Sequence, residues 1–393
     1  MSLENELLKL KEELVSIRRH LHQIPELGLE EYETSLYIKK YLSNEGIKFE
    51  SCFKTGVCAI IEGTLKTNTK KVIGVRADMD ALPIQDMKTC PYKSKNKGIM
   101  HACGHDAHVT ILLGVAKVLN RLKDYFAGTV KLIFEPAEET VGGARFMIEE
   151  GVLENPKVDV MIGLHVEESL PTGKIKVRDG MVNAASNPFK VKISGYGGHG
   201  AYPSEAIDPI VAVGNIIVGL QTLVSREINP TNPSVLTIGN IYGGKAQNVI
   251  PGEAGLSGIM RTLTPEDRKY IVRRFEDMVD GIAKAFRCKA EIDIEESYPC
   301  LTNDSNMVNL LKKSASSVIG SENVLYQDKV KMGVESFSYF ASEIPSVFYF
   351  LGCGNKDKNI NSPSHNALFD IDEDCLSIGV AIQCQTVLDY LNS

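Results

Sequence analysis

The sequence has no block of clustered lysine and arginine, no dense cysteine framework, no internal repeat and no low-complexity tract. Each absence removes a class of function. With a formal charge of −7 and no basic patch in the chain, neither nucleic acid nor an anionic membrane surface is an expected partner. Glu4 and Glu6 interrupt the N-terminus, so the basic-then-apolar layout of a signal peptide is missing, and no apolar run reads as long enough to span a bilayer. The expectation is a cytoplasmic protein. Nine cysteines, at 52, 58, 90, 103, 288, 300, 353, 375 and 384, are odd in number and scattered, unlike the staples of a small secreted domain, and are expected to be reduced and mostly buried.

What the chain has is 393 residues at 43% hydrophobic content, enough for two cores. Leu3, Leu7, Leu10, Leu14, Ile17 and Leu21 alternate at spacings of four and three, which predicts one amphipathic helix ended by Pro25. A second helix is expected over 30–42. Strands at 56–62, 72–76, 130–134 and 158–164 then alternate with helices at 109–122 and 142–150, the pattern of an α/β domain on a largely parallel sheet. After about Asn187 the order becomes strand 189–194, helix 206–227, strands 234–241 and 253–261, helix 265–286 and strand 288–295. That is the split arrangement of a ferredoxin-like α+β sandwich. The α/β pattern returns with a helix at 307–319, a strand at 346–351 and a closing helix at 372–391. The expected domains are 1–186 and 298–393 as one discontinuous catalytic domain, with 187–297 inserted.

The reactive groups cluster. His101-Ala102-Cys103-Gly104-His105-Asp106-Ala107-His108 packs three of eight histidines and a cysteine into eight residues, and imidazole and thiolate are ligands for borderline transition metals. Asp78 and Asp80, Glu135 with Glu138 and Glu139, His165 and His365 each follow a predicted strand, at the sheet edge where parallel α/β folds bind ligands. Taken singly, His165 reads as a core histidine, Asp78 as a capping residue and Glu138-Glu139 as a solvated helix start. Together they offer a metal ligand beside a general base, which is what a metallohydrolase needs. His20 and His22 read as packing residues, and His101 and His108 as ligands or as supports for ligands. Gly195-Tyr196-Gly197-Gly198-His199-Gly200 matches a dinucleotide fingerprint, but Pro203 and Pro209 break the helix that would receive the pyrophosphate, so the glycines read instead as bringing backbone and His199 close to a ligand.

Several ordered motifs carry a family resemblance over nearly the full length. They are Arg18-Arg19-His20-Leu21-His22 with Pro25-Glu26-Leu27-Gly28, Arg76-Ala77-Asp78-Met79-Asp80-Ala81-Leu82-Pro83, and 100–108. Further along come Glu135-Pro136-Ala137-Glu138-Glu139, Gly163-Leu164-His165, Gly197-Gly198-His199-Gly200-Ala201, Gln247-Asn248-Val249-Ile250-Pro251 and His365. With these the chain resembles the amidohydrolase branch of the dinuclear metallo-aminoacylase and carboxypeptidase family, which includes hippurate hydrolases, auxin-conjugate hydrolases and N-acetyldiaminopimelate deacetylases. The resemblance implies a metallopeptidase-like catalytic domain with an inserted lid that also forms a homodimer or higher homo-oligomer. It implies two divalent metal ions, zinc foremost with manganese or cobalt as alternatives, held by Cys103, His105, Glu139, His165 and His365. Glu138 would be the general base, His199 would stabilise the oxyanion of a neighbouring subunit's site, and Asn248 and Arg261 would recognise a substrate carboxylate.

The implied reaction is hydrolysis of an N-acyl amino acid, such as a hippurate or an N-acetyl-amino acid, by metal-activated water with Glu138 as base. A dipeptidase or carboxypeptidase on the same scaffold and a non-catalytic metal-binding homologue are the alternatives. One departure stands out: many relatives have Glu-Asp-Phe where this chain has Glu335-Ser336-Phe337, which bears on a supporting contact or on substrate preference.

Overall fold

The computed structural model describes residues 3–66 and 71–393. They fall into two compact units. The first runs to Val182 and resumes over Thr302–Lys329 and Glu335–Ser393; the second comprises Asn183–Leu301 and Val330–Val334.

The first unit is built on a single sheet of β1 (Lys48–Ser51), β2 (Val57–Glu62), β3 (Val72–Asp78), β4 (Thr129–Glu135), β5 (Val160–Pro171), β6 (Ile175–Val177), β7 (Val324–Tyr326) and β8 (Ser346–Gly354), in the spatial order β1-β2-β4-β3-β5-β8-β6-β7. The middle strands β4, β3, β5 and β8 run parallel, while β1–β2, β2–β4 and β8–β6 are antiparallel. Every residue of β3, β4 and β8 is buried, as strands covered on both faces must be. Lys131 obeys this rule inside β4 because its ammonium donates to the carbonyls of Val152, Glu154 and Pro156. The helices His105–Arg121, Asp374–Leu391 and Lys11–Gln23 pack on one another. Their apolar residues, including Leu14, Leu21, Ile111, Val115, Val380 and Val387, belong to one core with the sheet.

The first amphipathic stripe is carried by two helices, Leu3–Leu8 and Lys11–Gln23, rather than one. The second stops before Ile24, whose place ahead of Pro25 disfavours helical backbone. The three- and four-residue strands β1, β6 and β7 and the helix Phe337–Glu343 have no counterpart in the sequence reading, being too short to show a period.

The second unit has a four-stranded antiparallel sheet in the order Val235–Gly243, Glu253–Thr262, Ala185–Ser194, Lys289–Ile294. The helices Pro209–Thr222 and Pro265–Ala285 contribute Ala212, Ile216, Leu220, Ile271 and Phe275 to a core shared with Phe189, Val191, Ile193 and Leu256 of the sheet. Lys190 and Lys192 alternate with those strand residues and point away from the core. Both helices open with proline at the first turn behind a side-chain cap, Asp208 or Thr264. This is the ferredoxin-like connectivity expected from the order of elements.

One expectation is corrected here. The helix Pro209–Thr222 continues as a π turn through Glu227, and this 19-residue stretch, with a mean hydropathy of 1.4, is long and apolar enough by composition to cross a membrane. Its one buried side seats on the sheet, so two apolar faces, one packed and one exposed, together produce the unbroken apolar run.

Candidate metal centre

The centre of the first unit collects at the C-terminal ends of the parallel strands. Asp78 closes β3 opposite Glu135 at the end of β4. His165 was expected just past its strand; instead β5 continues to Pro171 because its ladder with β8 persists, and His165 sits within it, paired with Phe350. Between Cys103 and His105, Gly104 has φ +92°, and a Cβ there would lie 2.3 Å from Val166 Cγ2. Only glycine accommodates that left-handed residue, which turns the chain from the Cys103 loop into the helix that begins at His105.

The histidines divide by what occupies their two nitrogens. His105 Nδ1 lies 3.1 Å from Asp80 Oδ1, and since a carboxylate only accepts, Nδ1 carries a proton and Nε2 is the nitrogen left for another partner. That Nε2 is buried and without a hydrogen-bond partner among the described residues. His165 Nδ1 donates to the Val166 carbonyl at 2.6 Å, leaving Nε2 3.2 Å from Cys103 Sγ. His365 Nε2 is 3.1 Å from Glu139 Oε1. His108 is different: Nδ1 donates to Asp78 Oδ1 at 2.6 Å while Nε2 accepts from the Val166 amide at 2.9 Å, so both nitrogens are spent and it braces rather than coordinates. His22 is also spent, bonded to Asp106 at 2.6 Å and to Lys88 at 2.8 Å. His20 packs at 4.7 Å from the Tyr37 ring. His101 is buried, and burial pushes its pKa down to about 3, so it is uncharged.

The carboxylates divide likewise. Asp80 is a hinge: Oδ1 holds His105, and Oδ2 accepts the Glu139 amide at 2.9 Å. Glu138 is buried, with Oε1 accepting the Ser336 amide at 3.1 Å; burial first, then the neighbouring Glu335 and Glu139 carboxylates, hold its pKa well above the usual range. The turn that carries Glu138 and Glu139 passes through Ala137 at φ +58°, which is held by Glu31: its Oε1 accepts the Ala137 amide at 2.8 Å and its Oε2 the Thr55 hydroxyl at 2.6 Å. Burial raises Glu31 itself to about 7.

Beneath this layer Arg76 is fully buried, donating to Asp78 at 2.7 Å and Glu135 at 2.6 Å, and lying 3.0 Å from Glu335. Ser336 completes the layer, accepting from Arg76 Nη2 at 2.8 Å and donating to Glu135. The position that is an acid in many relatives is here a neutral hydroxyl satisfied on both sides. Arg76, Glu31 and Glu335 were given no role of their own in the sequence reading, and Ser336 only that of a departure bearing on a supporting contact or substrate preference. An arginine inside the apolar run Val72–Ala77 is the signal that announces the buried charge layer.

The residues present fit a pair of cations. Among the described residues, Cys103, His105 and His165 form one donor group within 4.8 Å, and Cys103, Glu139 and His365 form another that shares the thiol. Burial disfavours a charge on His105, yet Asp78 and Asp80 outweigh it and raise its pKa well above the ordinary value, while burial holds His165 neutral with its Nε2 lone pair toward the thiol. The site draws positive charge, and its sulfur, imidazole and carboxylate donors suit borderline divalent metals. Because Asp80 orients two donors at once, Asp80→Asn, which can accept for only one of them, is expected to weaken metal binding about 10–100-fold. Titration of the metal-free protein measures this, and unchanged affinity would remove Asp80 from the support of the site.

The remaining sequence-assigned residues lie in the second unit. His199 and Asn248 come together there on a two-stranded ribbon: His199 pairs with Val249, and the Asn248 carbonyl accepts the Gly200 amide at 2.8 Å. A Cβ at Gly200 would meet the Asn248 carbonyl oxygen at 3.0 Å, so the glycine permits the close approach. His199 Nδ1 accepts the Ala201 amide at 3.1 Å, which puts the neutral ring's proton on the exposed Nε2. Arg261 is not part of this ribbon. It sits near the far end of strand Glu253–Thr262, opposite Ser186, with Nη1 buried and unpartnered among the described residues.

Comparison with known proteins agrees with this architecture. The chain is 39% identical over 382 residues to the IAA-amino acid hydrolase ILR1-like 4 of Arabidopsis thaliana, covering 96% of this chain and 86% of that protein. It is 40% identical over 366 residues to the N-acetyl-L-cysteine deacetylase of Bacillus subtilis, covering 93% and 85%. Among solved structures, the Bacillus subtilis YXEP protein, described as a dinuclear metal binding peptidase from the M20 family, superposes with a TM-score of 0.83 at 33% identity over 98% of this chain and 99% of that one. The model of peptidase family M20/M25/M40 matches residues 74–389. With its donor cluster at the ends of a parallel sheet and more than half of its length matched, this chain belongs to peptidase family M20/M25/M40.

Proposed function

We propose that the protein is a metal-dependent amidohydrolase that cleaves N-acyl amino acids into a carboxylic acid and a free amino acid. The observation that carries the reading is a buried Glu138, its Oε1 held by the Ser336 amide, beside a donor set whose His105 Nε2 is buried and without a hydrogen-bond partner among the described residues. Cys103, His105, Glu139, His165 and His365 would hold two divalent ions, with zinc favoured by the thiol and imidazoles over manganese or cobalt. Bound there, the ions supply Lewis-acid polarisation of the amide carbonyl and acidify water at neutral pH.

The chain's own residues perform the rest. Glu138 takes the proton of the attacking water and returns it to the departing amine nitrogen. The Ser336 amide keeps Oε1 in place while this happens. His199 offers an Nε2–H donor suited to an oxyanion in a neighbouring subunit's site; Asn248, beside it on the ribbon, and Arg261, at the far end of strand Glu253–Thr262, are the candidates for recognising a substrate carboxylate.

The second unit also serves as a dimerisation surface in this reading: Ile210, Val211 and Val218 are exposed on its first helix, and Val235, Ile241 and Tyr242 on its edge strand. A reducing cytoplasmic location is supported by nine free cysteines.

A panel of hippurate, N-acetyl amino acids and free dipeptides, each with added zinc, manganese or cobalt, tests the proposal. Equimolar acid and free amino acid should appear from acylated substrates, stop with a chelator and return with metal. Cleavage confined to unacylated dipeptides would overturn it in favour of a dipeptidase.

A further inference from the structure

Apart from the donor set, a buried charge cluster ties the helix Lys11–Gln23 to the two segments that present His105 and His365. Arg18 is fully buried; Nε donates to Asp106 Oδ2 at 3.0 Å, Nη2 donates to Asp370 Oδ1 at 2.7 Å, and Nη1 lies 3.5 Å from Glu373. Asp106 follows His105 directly in its helix, and Asp370 lies beyond His365 in the irregular segment between β8 and the helix Asp374–Leu391.

The two ends of this bridge differ in firmness. Asp106 sits in the first turn of a buried helix and is held additionally by His22 Nδ1 at 2.6 Å. The His365 segment has no helix or strand, and His365 is half-exposed at φ +63°, an uncommon left-handed conformation for a residue other than glycine. Its fastenings to the rest of the unit are single contacts, among them the Ser364 hydroxyl 3.4 Å from Glu168. The His365 amide donates to the Ala102 carbonyl at 2.7 Å, the Met87 amide donates to the Ala367 carbonyl at 3.0 Å, and Phe369 is buried. Among these contacts buried charge reaches only Asp370, which takes Arg18 on one oxygen and the Tyr92 hydroxyl on the other at 2.9 Å, with Lys88 Nζ at 3.7 Å. A planar guanidinium can hold both carboxylates in fixed relation, which the single ammonium of a lysine cannot.

We propose that Arg18 and Asp370 form a positioning clamp that sets His365 against Glu139, and thereby controls the ion held by Cys103, Glu139 and His365 more than the ion held by Cys103, His105 and His165. Neither residue touches substrate. The proposal rests on the reading of His365 as a ligand.

The test is calorimetric titration of the full-length, metal-stripped protein with zinc, together with its metal-free thermal midpoint, for wild type, Asp370→Ala, Asp370→Asn, Arg18→Lys and His365→Ala. Asp370→Ala and Arg18→Lys should weaken one equivalent of zinc by about tenfold or more, as loss of an outer support does, and leave the other close to wild type. Asp370→Asn, which keeps one acceptor oxygen for Arg18 but offers the Tyr92 hydroxyl an N–H in place of the second, should fall between Asp370→Ala and wild type. A merely structural role predicts parallel weakening of both equivalents with a lower metal-free midpoint, and that result overturns the clamp. So does wild-type binding of both ions by Asp370→Ala while His365→Ala loses one. If His365→Ala itself keeps both, the ligand assignment falls, and the clamp with it.

Discussion

Glu138→Gln should retain two bound metal ions and lose kcat by a factor on the order of 10²–10⁴, the range that a positioned general base contributes. Gln has nearly the same shape and can still accept the Ser336 amide that meets Glu138 Oε1 at 3.1 Å, so the local fold has no reason to change. It has no basic oxygen to carry a proton from water to the leaving amine. Glu138 is therefore separable from Glu139, although the two are adjacent: Glu139 points Oε1 at His365, 3.1 Å away, and belongs with the donors. Metal content and turnover measured on one preparation decide the matter. Near-normal kcat would remove Glu138 from the mechanism, and loss of metal would move it into the ligand set.

Arg76→Met should destabilise the metal-free protein by about 3–5 kcal/mol, because removing one partner of a buried ion pair strands the other charges. At roughly 2–4 °C per kcal/mol, this amounts to a fall of about 10 °C in thermal midpoint. The guanidinium is fully buried and faces Asp78, Glu135 and Glu335 within 3.0 Å. Methionine fills much of the volume and none of the charge. Burial and the Arg76 guanidinium already contend in Glu335, where burial, reinforced by the Asp78 carboxylate, prevails and raises the pKa to about 7 even with the arginine present. Adding Glu335→Gln to Arg76→Met should recover part of the loss. A midpoint unchanged in the single variant would mean that these carboxylates are protonated and that Arg76 neutralises nothing. Asp78 also receives the His108 proton at 2.6 Å, so a weakened Arg76 layer should also loosen the brace behind the donor set.

The long elements were legible because their patterns repeat over enough residues. The alternation of apolar runs with helices gave the α/β sheet, and the strand-helix-strand-strand-helix-strand order gave the sandwich, since each buried face imposes its own period on the sequence. The strands of three or four residues were not legible, for the opposite reason. Donor types were legible in part: Cys103 and His105 lie in a dense histidine–cysteine motif and Glu139 in an acidic pair, whereas the isolated His165 and His365 joined the proposed set through the family resemblance.

Roles within the histidine set were decided by tertiary structure. Sequence spacing treats His101, His105 and His108 alike, whereas the fold gives His108 two partners, leaves His105 Nε2 without one among the described residues and buries His101 uncharged. A nitrogen can coordinate only if nothing else uses its lone pair, and the groups that use it, Asp78 and the Val166 amide, are distant in the chain. The same holds for the charge layer under the site. Arg76 is visible as an odd residue in an apolar strand, but the compensation by Glu135, Glu335 and Ser336 exists only once three separate segments converge. The sequence by itself determined the kinds of atoms available and the elements that carry them. Which of those atoms are already satisfied, and which are left to bind metal or move a proton, followed from contacts between segments, because hydrogen-bond satisfaction in a buried site is a property of neighbours rather than of spacing.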